Sequence, residues 1–457
     1  MSAGAPSSGS PGTASLSVAA KYYYLFLFTC SFMILTIDRS IVSVMLEPIK
    51  AEFGLSDTHL GFMNGIAFAI CFGVAGIPFG RLADRVDRRK VLVPCLAFFS
   101  LMTLFSGLAR NFLQLVTARF LVGAGEAGGQ PAMLSMMTDM YPGKRRASAV
   151  GIYYLAQPLG ALIIYLWASR VVAEVGWRQA FFIAGVPGLV LGVLIWFTVR
   201  EPVRGASEAS AGKVGDAPTI REARAFIASQ RSLLHLLATG ALMSVGTAGV
   251  GAWIVSFLIR SHDLPLANAC AMMAASYCLP TAGGILLGGA AVDYLGHRTP
   301  AWRTVLPGIA LILTLPAGIG LLATPSLLVC GILIGIWSFL VALPYASVVS
   351  LTQSLAPPRL RGLVTGTYYA STYIIGVGLG PQGVGIVSDL LGPAFGKSSL
   401  AIAMAIIGVP TAWAGIHAIL ASKTLGNDLA RISGEGGVPA ARPSRTFRMQ
   451  EQVDGSA

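Results

Sequence analysis

Runs of apolar residues, each separated from the next by a short polar joint, occupy almost the whole chain. A helix that crosses the hydrocarbon core of a bilayer needs about 20 mostly apolar residues. Twelve windows reach that length: 22–47, 59–80, 90–109, 112–138, 146–172, 178–199, 232–259, 267–293, 303–323, 326–354, 361–388 and 398–421. The polar stretch 200–231, with Arg204, Lys213, Arg221, Arg224 and Arg231, is the longest interruption and divides the windows six and six. The pattern predicts an all-α membrane protein with 12 transmembrane helices in two six-helix bundles. The expected organisation is a flexible N-terminal segment at 1–21, a bundle at 22–199, a cytoplasmic central loop at 200–231, a second bundle at 232–421 and a flexible tail at 422–457.

Composition agrees with a lipid environment. Of 457 residues, 54% are hydrophobic and only 11% charged, against about a quarter charged in soluble domains. The 54 glycines suit helices that approach closely where side chains are small. The net charge of +12 sits in short loops without an aromatic-interleaved basic domain, so nucleic acid is not an expected partner. It reads as a topology signal: with both termini in the cytoplasm, 24 of the 32 Lys and Arg residues fall on that side, as the positive-inside rule favours. The six cysteines lie singly in apolar stretches, which indicates neither a disulfide framework nor a zinc site. Residues 1–20 lack a basic n-region, and no cleaved signal peptide is expected.

Four ionisable residues depart from the apolar pattern. Asp38 and Arg39 lie deep in the first window, and Arg119 and Glu126 lie in the fourth. Charged groups at bilayer depth are costly, face a bundle interior or a wet cavity, and mark ion or substrate pathways. Arg119 and Glu126 are separated by almost two helical turns and so share a face, with Gln130 one turn further on. The chain has no phosphate loop of the G-x-x-x-x-G-K-[ST] type and no soluble segment long enough for an ATPase domain, which points to a gradient rather than nucleotide hydrolysis as the energy source. No histidine has a partner at metal-ligand spacing, so no cofactor and no metal are expected. An intramembrane enzyme would need a signature such as H-E-x-x-H or G-x-S-x-G, and neither occurs.

The halves repeat each other. Gly80-Arg81-Leu82-Ala83-Asp84-Arg85-Val86-Asp87-Arg88-Arg89-Lys90 follows the second window, and Gly289-Ala290-Ala291-Val292-Asp293-Tyr294-Leu295-Gly296-His297-Arg298 follows the eighth. Arg146 precedes Gly151-Ile152-Tyr153-Tyr154 by five residues, and Arg361 precedes Gly366-Thr367-Tyr368-Tyr369 by the same interval. The separations of 209 and 215 residues nearly agree, as expected of a duplicated six-helix unit with pseudo-symmetric halves.

The segment Gly80 to Lys90 resembles the loop pattern of the major facilitator superfamily, with Asp87 where that family usually has glycine, a departure that bears on the tight turn. A narrower resemblance is to the Spinster family of sphingosine phosphate and lysophospholipid exporters and their bacterial relatives. It rests on Ile37-Asp38-Arg39 and on Arg119-Phe120-Leu121-Val122-Gly123-Ala124-Gly125-Glu126-Ala127 with Pro131 and Asp139-Met140-Tyr141-Pro142. Organic-anion symporters of the same superfamily carry a related pattern in their fourth helix.

The resemblance implies a secondary transporter working by alternating access, with helices 1 and 4 lining the cavity. The charge of a carboxyl group in a partly dehydrated cavity depends on wetting and on the nearest arginine, so Asp38 and Glu126 are the expected proton-coupling residues. Arg39, Arg119 and Gln130 are candidates for counter-ion or substrate binding, since the arginine fork suits carboxylate and phosphate; a permanent buried ion network is the alternative. By resemblance, Gly80, Asp84, Arg85, Arg88, Asp139, Asp293 and Arg298 form cytoplasmic gate motifs, with Asp84 near the start of helix 11, Asp293 at helix 5 and Arg88 against Asp139. Gln130, Trp253, Tyr345, Tyr368 and Tyr369 are further cavity candidates. The expected partners are protons, the lipid bilayer and a small-molecule or lysolipid-like anion, handled by a monomer in the bacterial inner membrane. An organic-acid symporter is the competing transporter reading, and a transport-inactive sensor or an intramembrane enzyme the competing reading of another class.

Overall fold

The computed structural model describes residues 16–141, 144–203, 219–357 and 359–433, with a few side chains inside helices excepted. The N-terminal segment up to residue 15, most of the central loop and the tail beyond 433 lie outside the described residues. The first half holds α1 (Val18–Phe53), α2 (Asp57–Asn64), α3 (Ile66–Arg85), α4 (Arg89–Gly107), α5 (Phe112–Met140), α6 (Lys144–Tyr154), α7 (Ala156–Val175) and α8 (Trp177–Thr198). After α9 (Ile220–Ser229), the second half holds α10 (Arg231–Ser261), α11 (Leu266–Arg298), α12 (Trp302–Ala323), α13 (Leu327–Ala342) and α14 (Tyr345–Ser354). It closes with α15 (Arg361–Ser371), a π-helical stretch Thr372–Val377, α16 (Gly378–Phe395) and α17 (Ser399–Ser433).

Among the described residues, ten stretches are long and apolar enough to cross a membrane. They depart from the twelve windows in two places. The windows 361–388 and 398–421 fall in one stretch, Arg361–Ile432, which doubles back at Gly396, a glycine with φ of +53°: Ser388 and Ser399 lie 3.4 Å apart across the bend. The window 112–138 became α5, which is interrupted by Arg119, Glu126 and Gln130 and is outside the ten.

Two expected loops contain helix. α9 is amphipathic, buries Ala223 and Ile227, and opens on a capping box between Thr219 and Glu222. α17 runs past the expected boundary at 421 as far as Ser433, because Leu425 and Leu429 pack against α10 and α14 residues such as Leu233 and Leu351. Its Asp428 accepts hydrogen bonds from the Ser232 N–H (3.1 Å) and hydroxyl (2.5 Å) at the start of α10.

Glycines set how closely the first-half helices approach. A Cβ on Gly125 would lie 2.7 Å from the Phe99 side chain in α4, and one on Gly128 would lie 2.7 Å from Cys95 Sγ. Small residues therefore hold α5 tight against its neighbours and fix Arg119 and Glu126 in depth. At the face of the bundle remote from both termini, a single apolar core runs through both halves, with Val44, Met45, Trp253 and Phe257 in one cluster. Toward the terminal face the core divides: Phe28, Met136 and Tyr153 belong to a first-half cluster, and Leu233, Leu351 and Leu425 to a second-half one.

Candidate functional site

A cavity of about 250 Å³ lies between the halves, and both contribute to its wall. Four helix interruptions ring it. α2 breaks from α3 at Gly65, α6 from α7 at Leu155, α13 from α14 at Leu343 and Pro344, and the π stretch separates α15 from α16. Beside these breaks Asn64, Gln157, Tyr345 and Tyr373 line the cavity. Interrupted helices at a shared pocket are the usual scaffold of membrane carrier sites, because freed backbone is tolerated where it borders a cavity.

The four charged residues form two crossed pairs between α1 and α5. Arg119 binds Asp38 with both fork nitrogens, at 3.1 and 2.8 Å, and both side chains are almost fully buried. The Thr103 hydroxyl of α4 also donates to Asp38. Arg39 donates from Nε to Glu126 Oε2 at 2.7 Å, and its Nη2 stands 2.6 Å from the same oxygen. Glu126 is fully buried, whereas 29% of the Arg39 side chain is exposed. Among the described residues no hydrogen bond reaches Glu126 Oε1, and a void of about 10 Å³, large enough for about one water, borders Glu126 and Ser31.

The arginines, not the acids, face the cavity. Arg39, Arg119 and Gln130 line the cavity, while Asp38 and Glu126 stand behind them. Of the other candidates, Tyr345 lines the cavity. Trp253 is packed in the core, its indole N–H donating to the Pro381 carbonyl at 3.0 Å. Tyr368 is buried among second-half core residues. Tyr369 meets Tyr154, its counterpart 215 residues away in the repeat, oxygen to oxygen at 3.4 Å across the two halves.

The end of the cavity remote from the termini is closed by charge and by backbone contact. Arg260, at the end of α10, reaches Glu47 (2.7 Å) and forks onto Asp57 (2.7 and 2.8 Å) in the first half. Asp57 is also held by Lys50 at 2.5 Å and by the Ser388 hydroxyl at 2.7 Å. Asp389 of α16 accepts from the N–H groups of Asp57 (3.1 Å) and Thr58 (2.7 Å), capping α2 from the other half at the helix end that favours a carboxylate. A Cβ on Gly61 would lie 2.7 Å from the Pro381 carbonyl oxygen, and one on Gly65 2.6 Å from that of Gly378, so the halves touch through bare backbone here. Sequence reasoning did not find this lock.

The gate motifs at the terminal face are not drawn together in the same way. Arg88 is buried and donates to Asp139 (2.6 Å) and Ser135 (2.8 Å) of α5 and to Glu201 (2.7 Å) beyond α8; Glu201 was not anticipated. Asp87 accepts from the Arg89 N–H at 2.9 Å, and the one non-glycine residue with positive φ among the described residues is Asp263, so the turn at 87 does not require glycine. Gly80 has no neighbour within reach of a Cβ, and Arg85 is exposed at the end of α3. Asp84 lies in α3, but its side chain is outside the described residues. Asp293 is exposed, and Arg298 donates to Tyr294 of its own helix at 2.9 Å; the side chain of Lys144, at the start of the helix where Asp293 was expected, lies outside the described residues.

His235 and His417 face each other with Nδ1 atoms 2.9 Å apart. No group of three metal-binding side chains occurs among the described residues.

A family model described as Major Facilitator Superfamily matches residues 28–381. The fold is similar to the solved structure of a bacterial homologue of the human lysosomal transporter Spinster, in an inward-facing and unoccupied conformation. The TM-score is 0.78 at 26% identity, over 90% of this chain and 99% of that one. Among curated proteins, the D-galactonate transporter of Escherichia coli is 27% identical over 85% of this chain and 94% of its own length. The sphingosine-1-phosphate transporter SPNS2 of Danio rerio is 25% identical over 79% and 75%.

Proposed function

The chain belongs to the major facilitator superfamily and is a transporter rather than an enzyme; on that premise we propose that it is a proton-coupled, alternating-access carrier of an organic anion with an apolar part. The observation that carries the reading is the pair of crossed Arg–carboxylate contacts at the cavity wall, Arg39 on Glu126 and Arg119 on Asp38, with the arginines in front. An anionic head group entering the cavity competes with Glu126 and Asp38 for the same guanidinium groups. A proton on Glu126 removes its claim on Arg39 and leaves that arginine to the solute. Deprotonation restores the internal pair and expels the anion. Proton and solute thus use one arginine, which is the physical basis of coupling.

The wall favours an amphipathic solute. First-half residues supply Ser40, Ser43, Asn64, Gln130 and Gln157, whereas the second half supplies mainly apolar surface such as Ile254, Leu321, Ile334 and Val377. A charged head against the first half and an apolar body against the second match both surfaces, in line with the likeness to SPNS2. The volume of about 250 Å³ supports a second reading, a compact organic acid, since drug-sized ligands take about 300–1,000 Å³; the D-galactonate transporter stands on that side. With both termini in the cytoplasm of a bacterial inner membrane, the locked face is the outer one and the carrier is inward-facing. The gate residues Asp84 and Asp293 then engage in the opposite state, and one chain suffices for the cycle.

The test is transport into liposomes under an imposed pH gradient, with lysophospholipid, sphingoid phosphate and sugar acids as solutes. Glu126→Gln is expected to abolish gradient-driven accumulation while sparing solute exchange at equal pH. Full gradient-driven uptake by that variant removes Glu126 from the mechanism, and the solute that accumulates decides between the two readings.

A further inference from the structure

The guanidinium of Arg39 is boxed by rings from both halves. Its carbon lies 5.2 Å from the ring centre of Phe68 and 5.7 Å from that of Phe72, both on α3, and 5.2 Å from that of Tyr373 in the π stretch. Phe72 and Tyr373 stack at 4.3 Å with ring planes 20° apart, and Arg39 Nη1 donates to the Tyr373 hydroxyl at 3.0 Å. One side chain of the first half therefore holds Glu126 with one edge and a second-half residue with the other.

The site of that contact is a mechanically soft part of the chain. A π turn carries one residue more than an α turn, is rare, and frequently falls at functional sites. Here it occupies Thr372–Val377 and is followed by Gly378 and Gly380, residues with low helix propensity. A return to α-helical register would rotate Tyr373 by a little over a quarter of a turn relative to α16, because each residue advances the helix by about 100°. α16 is the helix whose Ser388 and Asp389 hold the far-face lock. Tyr373, which touches Arg39, and the lock residues Ser388 and Asp389 thus lie on one continuous helical stretch.

We propose that Tyr373 is the positioning residue that reports the state of the Arg39–Glu126 pair to the second half, with the π stretch as the joint that converts loss of the Arg39 contact into movement of α16. When Glu126 is neutral or a solute claims Arg39, the guanidinium is reoriented, its contact with the Tyr373 hydroxyl and ring is lost, and the joint is released. The inference rests on the carrier reading above and adds the route by which the pair reaches the gates.

The experiment is a double-mutant cycle read on conformation. Full-length protein in nanodiscs, with native cysteines replaced, carries spin labels at Lys90→Cys and Thr299→Cys, exposed positions of the two halves at the terminal face. Distance distributions give the ratio of open to closed states. Glu126→Gln, which mimics the neutral acid, is expected to change that ratio at least fivefold. In the Tyr373→Phe background, which keeps the ring and loses the hydroxyl, the same substitution is expected to change it less than twofold, and Tyr373→Ala is expected to abolish the response. A merely structural tyrosine gives additive effects, and additivity overturns the proposal. So does the absence of any shift on Glu126→Gln alone. Loss of gradient-driven uptake in Glu126→Gln together with additive shifts removes Tyr373 and leaves the carrier reading standing; retained uptake removes the carrier reading.

Discussion

Removing Arg260 should unlock the far face. Its guanidinium makes fork contacts with Glu47 and Asp57, and the side chains are 18%, 21% and 3% exposed, so solvent screening is limited. Hydrogen bonds to charged groups contribute about 1.5–3 kcal/mol each, but Asp57 keeps Lys50 and Ser388 in the variant and is not left unpaired. The net loss for Arg260→Ala is therefore about 2–3 kcal/mol, drawn from the closed state alone because the contacts cross between halves. At tenfold per 1.4 kcal/mol, the closed-to-open ratio at this face should fall by about 30- to 150-fold. Spin labels at Arg110→Cys and Asn268→Cys, both exposed at that face in opposite halves, should report a new long-distance population. If the distribution stays as in the parent for Arg260→Ala and also for Asp57→Asn, the network is ornamental and the face is held by backbone contact alone.

Further outcomes follow from the same geometry. Arg119→Ala leaves the Asp38 carboxylate buried without its fork and should cost about 3–5 kcal/mol, seen as loss of monodisperse protein; Arg119→Ala with Asp38→Asn should restore the yield but not transport, and failure of the second change to rescue would show that packing matters more than charge. Gly61→Ala sets a Cβ 2.7 Å from the Pro381 carbonyl oxygen and should favour the state open at the far face without lowering Tm, which the same labels and a thermal melt separate. Asp428→Ala removes the cap on α10 and should cost about 1 kcal/mol, read as a lower Tm in detergent with transport per folded molecule unchanged; an unaltered Tm would mean that Ser232 finds water instead.

Which features the sequence disclosed depends on whether they are local. Apolar windows mark spans because a bilayer imposes length and hydropathy on each helix separately, and a charge within such a window stands out against its neighbours, as Asp38 and Glu126 did. Pairing is not local: Arg119 could have met Asp38 or served Glu126 on its own helix face, and the choice is made by the glycine-set depth of α5 against α4. The cavity-facing order, arginine before acid, follows from that packing. The lock at Glu47, Asp57, Arg260 and Asp389 joins one stretch of the first half to two distant helices of the second and has no sequence signature. α9 and the end of α17 were lost for a different reason, since their helicity comes from one apolar stripe docking on α10 and α14 rather than from hydropathy.

The placement of Arg39 and Arg119 in front of their acids gives the cavity wall an oriented double layer of charge, positive side inward. A molecule approaching through low dielectric feels the nearer layer most strongly, so a cavity of this kind is expected to disfavour amines and quaternary ammonium compounds. On the proposed carrier reading, discrimination by sign precedes discrimination by fit, and cationic compounds are disfavoured as cargo.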